Sequence, residues 1–412
     1  MHPLRVLAAC VVTLASIAAA CGPQAAGVPK AGPTPGASSM AIVGAPNGAE
    51  TPLPTATANL EPGVGAIVER RLLADVASVD AVAEDGSLLV RLTSSPRDLH
   101  ILDPRTGSTT LVARPPSDDS TKNPALRAVG LSATWVSWIS RESVHGENPE
   151  NRSSWYLMAR DCRTGQEVVV AQEDAAIPEE LSDLNVFPSA ALNGNRIAWA
   201  YSEMDSAGGV SNVIKMMELP DGPTETIARL AATIDLRNGF MSDPALSGDA
   251  VVWCQASSRA SRPFFFEDVY LYDLASRTTT RLNASASANS PAVSKDYVIW
   301  VEHLSEPSET RTDIVLYDRR GRTTTRLNPP DDERRVEAEN WNPHLGSRFV
   351  TWWRGRADGF YLYDLRQNRL EHVPDGFQPI LNGSFLVWTR HLPGERRTSG
   401  SPPLHWWARL AE

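Results

Sequence analysis

Residues 290–328 read SPAVSKDYVIWVEHLSEPSETRTDIVLYDRRGRTTTRLN, and the fold is inferred from the pattern in this stretch. Val293 precedes Trp300 by seven positions with a polar turn between them, a spacing that predicts a β-hairpin. A second hairpin follows, in which one strand ends at Asp318 and a threonine-rich strand begins after the turn. The stretch therefore predicts a meander of four short antiparallel strands.

The first hairpin recurs along the chain. The spacing from an apolar residue to Trp is found at Leu131/Trp138, Leu192/Trp199, Leu246/Trp253, Val293/Trp300, Leu345/Trp352 and Leu381/Trp388. An earlier unit keeps the spacing with Leu89 in place of Trp, after Val82. Stacked sheets must bury large apolar surfaces against one another, so we expect each indole to lie between neighbouring units. An aromatic ligand cage would not recur once per unit.

The second hairpin has its own signature, an acidic residue followed four positions later by a turn residue. A carboxylate accepts hydrogen bonds from turn N–H groups, and Gly or Asn tolerates the left-handed conformation that closes such a turn. The pairs are Asp103/Gly107, Asp161/Gly165, Glu218/Gly222, Asp273/Arg277, Asp318/Arg322 and Asp364/Asn368.

Four-stranded units repeated in this way are typical of a β-propeller. We count seven units and predict an all-β fold of seven four-stranded blades, with six blades and a C-terminal cap as the alternative. The seventh unit, which begins near Pro379, lacks a fourth strand before the sequence ends. We therefore expect residues 66–73 to supply that strand and close the ring, because it would otherwise leave an open sheet edge.

Residues 290–300, 313–318 and 325–328 resemble the TolB-type propeller repeat. That repeat runs Pro-x-apolar-Ser, a Pro-Asp-Gly turn, an apolar strand ending in an aromatic residue, an Ile-Tyr strand ending in Asp, and Arg-Leu-Thr. The resemblance covers residues 75–412 and implies the propeller fold. The Pro-Asp-Gly turn is degenerate here, and a tether stands where TolB has its N-terminal α/β domain.

The N-terminal segment is predicted to be a bacterial export signal over residues 1–20. An apolar run from Val6 to Ala20 follows Arg5 and is shorter than the ~20 residues that span a bilayer. The run ends in Ala-Ala-Ala before Cys21, which resembles a lipobox, so we expect Cys21 to carry a lipid. A plain secretory signal cleaved after Ala20 is the alternative.

The predicted domains after the signal are a disordered Pro/Gly/Ala-rich tether over residues 21–65 and the propeller over residues 66–412. The expected location is the outer face of a bacterial membrane, with the lipid as the sole membrane contact. Cys162 and Cys254 are expected to be free, buried thiols. The formal net charge of −10 argues against a nucleic-acid partner.

The motif search favours neither a cofactor nor a metal. The sequence contains no Gly-x-Ser-x-Gly elbow, P-loop, dinucleotide fingerprint or His-Glu-x-x-His. His303 and His391 each stand three residues after a blade Trp. We interpret them as imidazoles at the rim of the loops, and a divalent metal site is the other interpretation.

A ligand site, if present, is expected where loops enter the innermost strands and converge on the channel. The candidate residues at this channel mouth are Asn185, Asp243, Ser290, Trp341, Asn342, His344 and Gln378. Their polar groups either contact a ligand or hydrate the channel. Phe264, Phe265 and Phe266 are candidates for an interface, or alternatively for core packing under a neighbouring blade.

Two functions remain open from the sequence. The first is a monomeric, non-enzymatic lipoprotein of the cell envelope whose propeller binds or scaffolds a protein, peptide or glycan. The second is a propeller-type lyase or hydrolase with its site at the central channel.

Overall fold

The computed structural model describes residues 65–115, 125–142, 154–172, 188–204, 209–231, 241–256, 267–283, 288–303, 312–327, 340–355, 359–374, 376–390 and 403–411. These residues form β-strands, turns and short connections. Within these ranges there is no helix with the length and apolar character needed to cross a membrane.

The strands form seven four-stranded antiparallel blades, as predicted. Blade one holds β2 (Val76–Val82), β3 (Leu88–Leu92), β4 (Ser95–Asp103) and β5 (Ser108–Ala113). Blade two holds β6 (Ala125–Leu131), β7 (Trp135–Glu142), β8 (Ser154–Asp161) and β9 (Glu167–Gln172). Blade three holds β10 (Ser189–Asn193), β11 (Arg196–Met204), β12 (Val210–Glu218) and β13 (Glu225–Ala231).

The remaining strands continue the series. Blade four holds β14 (Ala245–Ser247), β15 (Ala250–Ala256), β16 (Glu267–Asp273) and β17 (Thr278–Arg281). Blade five holds β18 (Ala288–Val293), β19 (Tyr297–His303), β20 (Thr312–Asp318) and β21 (Thr323–Arg326). Blade six holds β22 (Asn340–Leu345), β23 (Phe349–Arg354), β24 (Phe360–Asp364) and β25 (Arg369–Val373). Blade seven holds β26 (Gly376–Asn382), β27 (Phe385–Arg390), β28 (Leu404–Leu410) and β1 (Ile67–Leu73).

The N-terminal strand closes the ring. β1 pairs antiparallel with β28, from Ile67 opposite Leu410 to Leu73 opposite His405. The first strand of each blade contacts the first strand of the next blade all the way around, including blade seven against blade one. The predicted closure by residues 66–73 is thus confirmed, and these first strands line the central channel.

The apolar core is divided among the seven interfaces between neighbouring blades. Each interface contains tryptophan, and the six indoles predicted to be structural are all at most 4% exposed. Each of these six faces the preceding blade, as the residues of its cluster show. A buried aromatic side chain contributes several kcal/mol to the free energy of unfolding, so these six indoles contribute much of the stability of the packing between neighbouring blades.

Blade one departs from the predicted register. Val82 pairs with Leu88, so its turn holds one residue more than the equivalent turn of blade two. Leu89 consequently faces blade two, and Val90 takes the position that Trp occupies elsewhere. The expectation that Leu89 replaces the blade Trp is wrong for this reason.

Blade one has no tryptophan at the position of the blade Trp, and a tryptophan of blade seven fills the corresponding space at their interface. Trp407, on β28, is fully buried between these two blades and stacks on Phe385 with ring centroids 5.6 Å apart. Its Nε1–H donates to the carbonyl oxygen of Gly86 at 3.1 Å. The indole is therefore supplied from the other side of the interface.

The acidic turns form as predicted. The residue four positions after the acid donates its N–H to the acid's carbonyl oxygen, for example Gly107 to Asp103 at 2.8 Å and Arg322 to Asp318 at 2.8 Å. The Asp318 carboxylate also accepts the N–H of Gly321 at 2.9 Å. Arg277, Arg322 and Asn368 adopt the left-handed conformation, with φ of 56°, 54° and 53°.

Arginine side chains tie neighbouring blades together on the side of these turns. Arg319 is 10% exposed, and its guanidinium contacts both carboxylate oxygens of Asp249 in blade four, at 2.8 and 3.2 Å. It also donates to the carbonyl oxygens of Ser294 and Lys295 in blade five, at 3.1 and 2.7 Å. A planar fork of five donors suits this arrangement, and a lysine ammonium does not.

We predict that Arg319→Lys lowers the free energy of unfolding by about 1–2 kcal/mol, because it loses the bidentate contact with Asp249 and leaves the carbonyl oxygens of Ser294 and Lys295 with fewer donors. Chemical denaturation measures the change. The matched control is Arg320→Lys, since Arg320 is 76% exposed and contacts Asp296 through one nitrogen. Equal losses of stability at the two positions would contradict a special role of the Arg319 contacts in joining blades four and five.

The two cysteines differ from expectation in one respect. Neither cysteine forms a disulfide, and Cys254 is buried, as predicted. Cys162 is exposed, because it opens the turn after Asp161 rather than pointing into a blade interface. Partial desolvation of its sulfur and the carboxylate of Asp161 raise the pKa of this thiol to about 11, against a weaker opposite effect of Arg160.

This raised pKa predicts slow alkylation of an exposed thiol. Below the ordinary pKa of 9.0 the shift to about 11 reduces the thiolate population roughly a hundredfold, and the greater nucleophilicity of the remaining thiolate offsets about half of that on a log scale. Iodoacetamide should therefore label Cys162 roughly ten times more slowly in the folded chain than in urea, with a rate that still rises between pH 9 and 10. Peptide mass spectrometry reads the labelling; equal rates in both states would refute the shift.

Candidate functional site

The channel mouth lies where the inner strands begin, and three predicted residues share one backbone feature there. Ser290, Asn342 and Gln378 have φ of 50°, 47° and 50°, and each stands immediately before a proline. In blades five, six and seven the pairing of the inner strand shifts at this point, which is a β-bulge. A left-handed conformation costs most residues other than glycine and asparagine roughly 1–2 kcal/mol, so Ser290 and Gln378 bear this cost more than Asn342 does.

Asp243 occupies the corresponding position of blade four, before Pro244. It is exposed, and its Oδ2 lies 3.3 Å from Nη2 of Arg127 on β6 of blade two. Because blades two and four are not neighbours, this ion pair reaches across the channel. Sequence reasoning missed Arg127, although it lies only four residues before Leu131 of the predicted hairpin.

A second polar pair crosses the opposite end of the channel. Nδ2 of Asn193, in blade three, lies 3.5 Å from Oε1 of Glu84, in the first turn of blade one. Each of the two pairs thus joins blades that lie on either side of a third blade, one pair at each end of the channel.

Trp341 lies at the junction of blades five and six. It is half-buried, and its ring centroid is 5.7 Å from that of His303 in an edge-to-face arrangement. Nε2 of His303 is 2.8 Å from Nδ2 of Asn289, a residue that directly precedes Ser290. Burial lowers the pKa of His303, which favours an uncharged imidazole. His303 and Asn289 therefore also belong to the group of residues at the channel mouth.

His344 lies further along the same inner strand, opposite Thr351. Desolvation of its ring lowers its pKa to about 4. The imidazole is therefore uncharged at neutral pH and offers one donor and one acceptor.

Asp80 and Arg91 complete the mouth at blade one. Asp80 is the residue at which the pairing of the inner strand shifts, between Val79 and Ala81. Nε of Arg91 lies 3.1 Å from Oδ2 of Asp80. Desolvation raises the pKa of Asp80, while Arg91 and Ser78 oppose that rise. No motif in the sequence marks this pair.

A separate cavity of about 300 Å³ lies on the side of the turns, where blades one, six and seven meet. Glu84, Ser347 and Ser384 line it together with Arg348. Arg348 is already engaged, since Nε and Nη2 contact the carboxylate of Asp364 and Nη1 donates to Ala411 O at 3.0 Å. Arg348 is therefore not available to a ligand, whereas Glu84 and Arg366 also line the cavity.

Four groups of predicted residues lie outside the described residues: Cys21, Asn185, Phe264–Phe266 and His391. Across the described ranges, no group of three His, Cys, Asp or Glu residues lies close enough together to hold a metal ion.

Comparison with known proteins relates the chain to propeller structures. No protein-family model and no curated protein sequence matches it. Acylaminoacyl peptidase of Pyrococcus horikoshii is 13% identical with a TM-score of 0.48, covering 81% of this chain and 52% of the peptidase. The β-propeller domain of the Trilobed protease from Pyrococcus furiosus is 11% identical with a TM-score of 0.35, covering 69% and 93%. The WD40 domain of SCAP from fission yeast is 10% identical with a TM-score of 0.40, covering 81% and 84%. The chain spans about half the length of the acylaminoacyl peptidase.

Proposed function

We propose that the chain is an exported bacterial lipoprotein of the TolB-type repeat, anchored through Cys21, whose propeller binds a protein, peptide or glycan at the channel mouth without catalysing a reaction. The binding role is supported mainly by the mouth, and the anchor by the sequence around Cys21. A propeller holds loops from several blades against one opening, which suits recognition of an extended partner.

The observation that carries the binding role is the repeated left-handed residue before proline. Three successive blades keep a polar residue in the left-handed backbone conformation at one register of the innermost strand, and this conformation is costly for Ser290 and Gln378. Strain that persists in this way concentrates at ligand sites, because the rest of the fold must compensate for it. Ser290, Asn342 and Gln378 thereby present hydroxyl and amide groups at one opening.

The charge balance of the mouth indicates what it suits. Arg127 pairs with Asp243 and Arg91 pairs with Asp80, so the charged groups compensate one another. Burial lowers the pKa of His303 and of His344, which favours uncharged imidazoles. Amides, hydroxyls and a half-buried indole remain, which are groups that recognise uncharged chain segments by hydrogen bonds and stacking.

Site-specific photo-crosslinking tests this function. A benzophenone amino acid at Asp243 or Gln378, both exposed at the mouth, should give a discrete adduct in the native cell envelope. The matched control is Gln166, exposed in a turn at the opposite end of blade two. Absence of adducts from both mouth positions, or the same adducts from Gln166, would refute the proposal.

The anchor has its own test. Cys21→Ser should move the protein from the membrane fraction to the soluble fraction after cell breakage, because it removes the acylated thiol. Unchanged membrane partition would defeat the lipid assignment while leaving the binding role standing.

A further inference from the structure

Four blades have an arginine in the turn that joins their two outer strands, two residues after the turn acid. The backbone N–H of each arginine donates to the carboxylate of that acid. The four are Arg105, Arg163, Arg320 and Arg366. In blade five the guanidinium of Arg320 also binds Asp296 at 2.8 Å, in the inner turn, which joins the first two strands of a blade. The charge of this turn arginine is thus compensated within its own blade.

Blade six has the opposite charge at the position of Asp296. Arg348 stands there, in each case directly before the second strand of the blade. Arg348 is paired with the carboxylate of Asp364, through Nε at 3.1 Å. Arg366 is exposed, and its guanidinium forms no ion pair with any described residue. Blade six therefore presents a turn arginine whose charge is uncompensated.

Glu84 brings an uncompensated negative charge to the same cavity. It is exposed in the inner turn of blade one, and its carboxylate has one polar contact within the described residues, Nδ2 of Asn193 at 3.5 Å. A neutral amide at that distance does not balance the charge. Glu84 and Arg366 both line the cavity of about 300 Å³ and do not pair with each other. Because Arg348 and Asp364 cancel, the cavity presents one negative and one positive group.

The inner turns of blades six and seven supply the polar wall of this cavity. Ser347 and Ser384 line it, and neither hydroxyl has a hydrogen-bond partner within the described part of the chain. The two turns are in close contact, since a Cβ on Gly346 would lie 2.4 Å from the carbonyl oxygen of Gly383. Position 346 therefore admits only glycine, and backbone packing fixes the wall before any ligand binds, which lowers the cost of binding.

We propose that this cavity binds a free amino acid with a small side chain, its ammonium group at Glu84 and its carboxylate at Arg366. A guanidinium matches a carboxylate through two parallel hydrogen bonds, and an ammonium group donates to a carboxylate. An anion alone would be repelled by Glu84 and a cation alone by Arg366, so the charges favour a zwitterion. Ligand pockets span roughly 300–1,000 Å³, and a cavity at the lower end of that range favours a molecule of few atoms.

The site is separate from the binding role proposed above, because the inner turns lie at the end of the ring opposite the channel mouth. Both charged side chains are exposed, so water and salt weaken their attraction for a ligand. We therefore expect a dissociation constant of roughly 0.1–1 mM, which rises with ionic strength.

Saturation-transfer NMR on the purified full chain tests the ligand class with L-alanine as the probe. Alanine should show saturable binding. N-acetyl-L-alanine lacks the ammonium charge and L-alaninamide lacks the carboxylate, so each should bind at least roughly tenfold more weakly. Equal affinities for alanine and either analogue would contradict recognition of both charged ends.

Substitutions in the turns test the residues. Glu84→Gln and Arg366→Gln should each weaken alanine binding at least roughly tenfold, because each removes one of the two charges. Ser384→Asp should also weaken it, since it gives blade seven the acid that blades four and five have at this position and competes for Arg366. The matched control is Arg163→Gln, which changes the exposed turn arginine of blade two, outside the cavity, and should leave binding unchanged.

The outcomes separate this site from the alternatives. Circular dichroism confirms that each variant is folded, and crosslinking from Asp243 at the channel mouth should be the same in Arg366→Gln as in the unmodified chain. Absence of saturable alanine binding up to ~10 mM, or binding that all variants retain, would overturn the proposal. Binding of inorganic phosphate that Glu84→Gln strengthens would identify an anion site and would likewise overturn the assignment to an amino acid.

Discussion

Replacing Trp300 with Ala should lower the free energy of unfolding by about 3–5 kcal/mol, one of the two largest effects expected in this protein. The indole is 1% exposed and packs at the interface of blades four and five, against Val252 and Leu271. Its removal leaves a cavity that the paired strands on both sides cannot fill by moving. Urea denaturation followed by circular dichroism measures the change.

Conservative variants separate the volume of the indole from its N–H group. Among the described residues, Nε1 of Trp300 has no hydrogen-bond partner, whereas Nε1 of Trp352 donates to Oδ1 of Asn340 at 3.1 Å. Trp300→Phe should therefore cost less than Trp352→Phe by about 1–2 kcal/mol, because the latter leaves the Asn340 oxygen unpaired. A loss below 1 kcal/mol in Trp300→Ala would mean that the indoles do not hold neighbouring blades together.

The blade architecture was accessible from the sequence because two local signals repeat with it. The spacing from an apolar residue to Trp reflects the length of a hairpin, and the acidic turn reflects hydrogen bonds within five residues, such as Gly107 to Asp103. Both signals involve residues close together in the sequence, so they can be recognised in a single sequence without an alignment. The pairing of β1 with β28 was predicted only because the seventh unit lacks a fourth strand of its own.

The register of blade one shows where this reasoning fails. A single extra residue between Val82 and Leu88 exchanges the two faces of the following strand, since side chains alternate. Leu89 and Val90 are both apolar, so composition does not reveal which one faces blade seven. Only the pairing, together with Trp407 filling the interface from β28, resolves it.

The candidate site was predictable only in part, for a geometric reason. Ser290, Asn342 and Gln378 share a position relative to the blade repeat, and this placed them together in advance. The pair of Arg127 and Asp243 instead joins residues 116 positions apart, across the channel between blades that are not neighbours. The repeat does not specify such a contact, which depends on the diameter of the ring.

Asn340→Ala should lower the free energy of unfolding by about 2–4 kcal/mol, because the residue is a fully buried polar connection between blades five and six. Its Nδ2 donates to the carbonyl oxygen of Thr312 at 2.7 Å, and its Oδ1 accepts the indole N–H of Trp352 at 3.1 Å. Truncation leaves an acceptor and a donor unpaired in the core. Thermal and urea unfolding both report the loss.

Blade five already contains the arrangement that this substitution creates. Ala288 takes the position of Asn340, two residues before the left-handed bulge residue, and Nε1 of Trp300 has no partner within the described residues. Such unpaired indole N–H groups are thus tolerated, since Nε1 of Trp199 and of Trp406 also has no partner within the described residues, and the question is what a further one costs. In a double-mutant cycle, Trp352→Phe should reduce the cost of Asn340→Ala by about 1–2 kcal/mol, because the indole N–H is no longer there to be left unpaired. Strictly additive losses would show that this hydrogen bond contributes nothing, and that packing alone joins blades five and six.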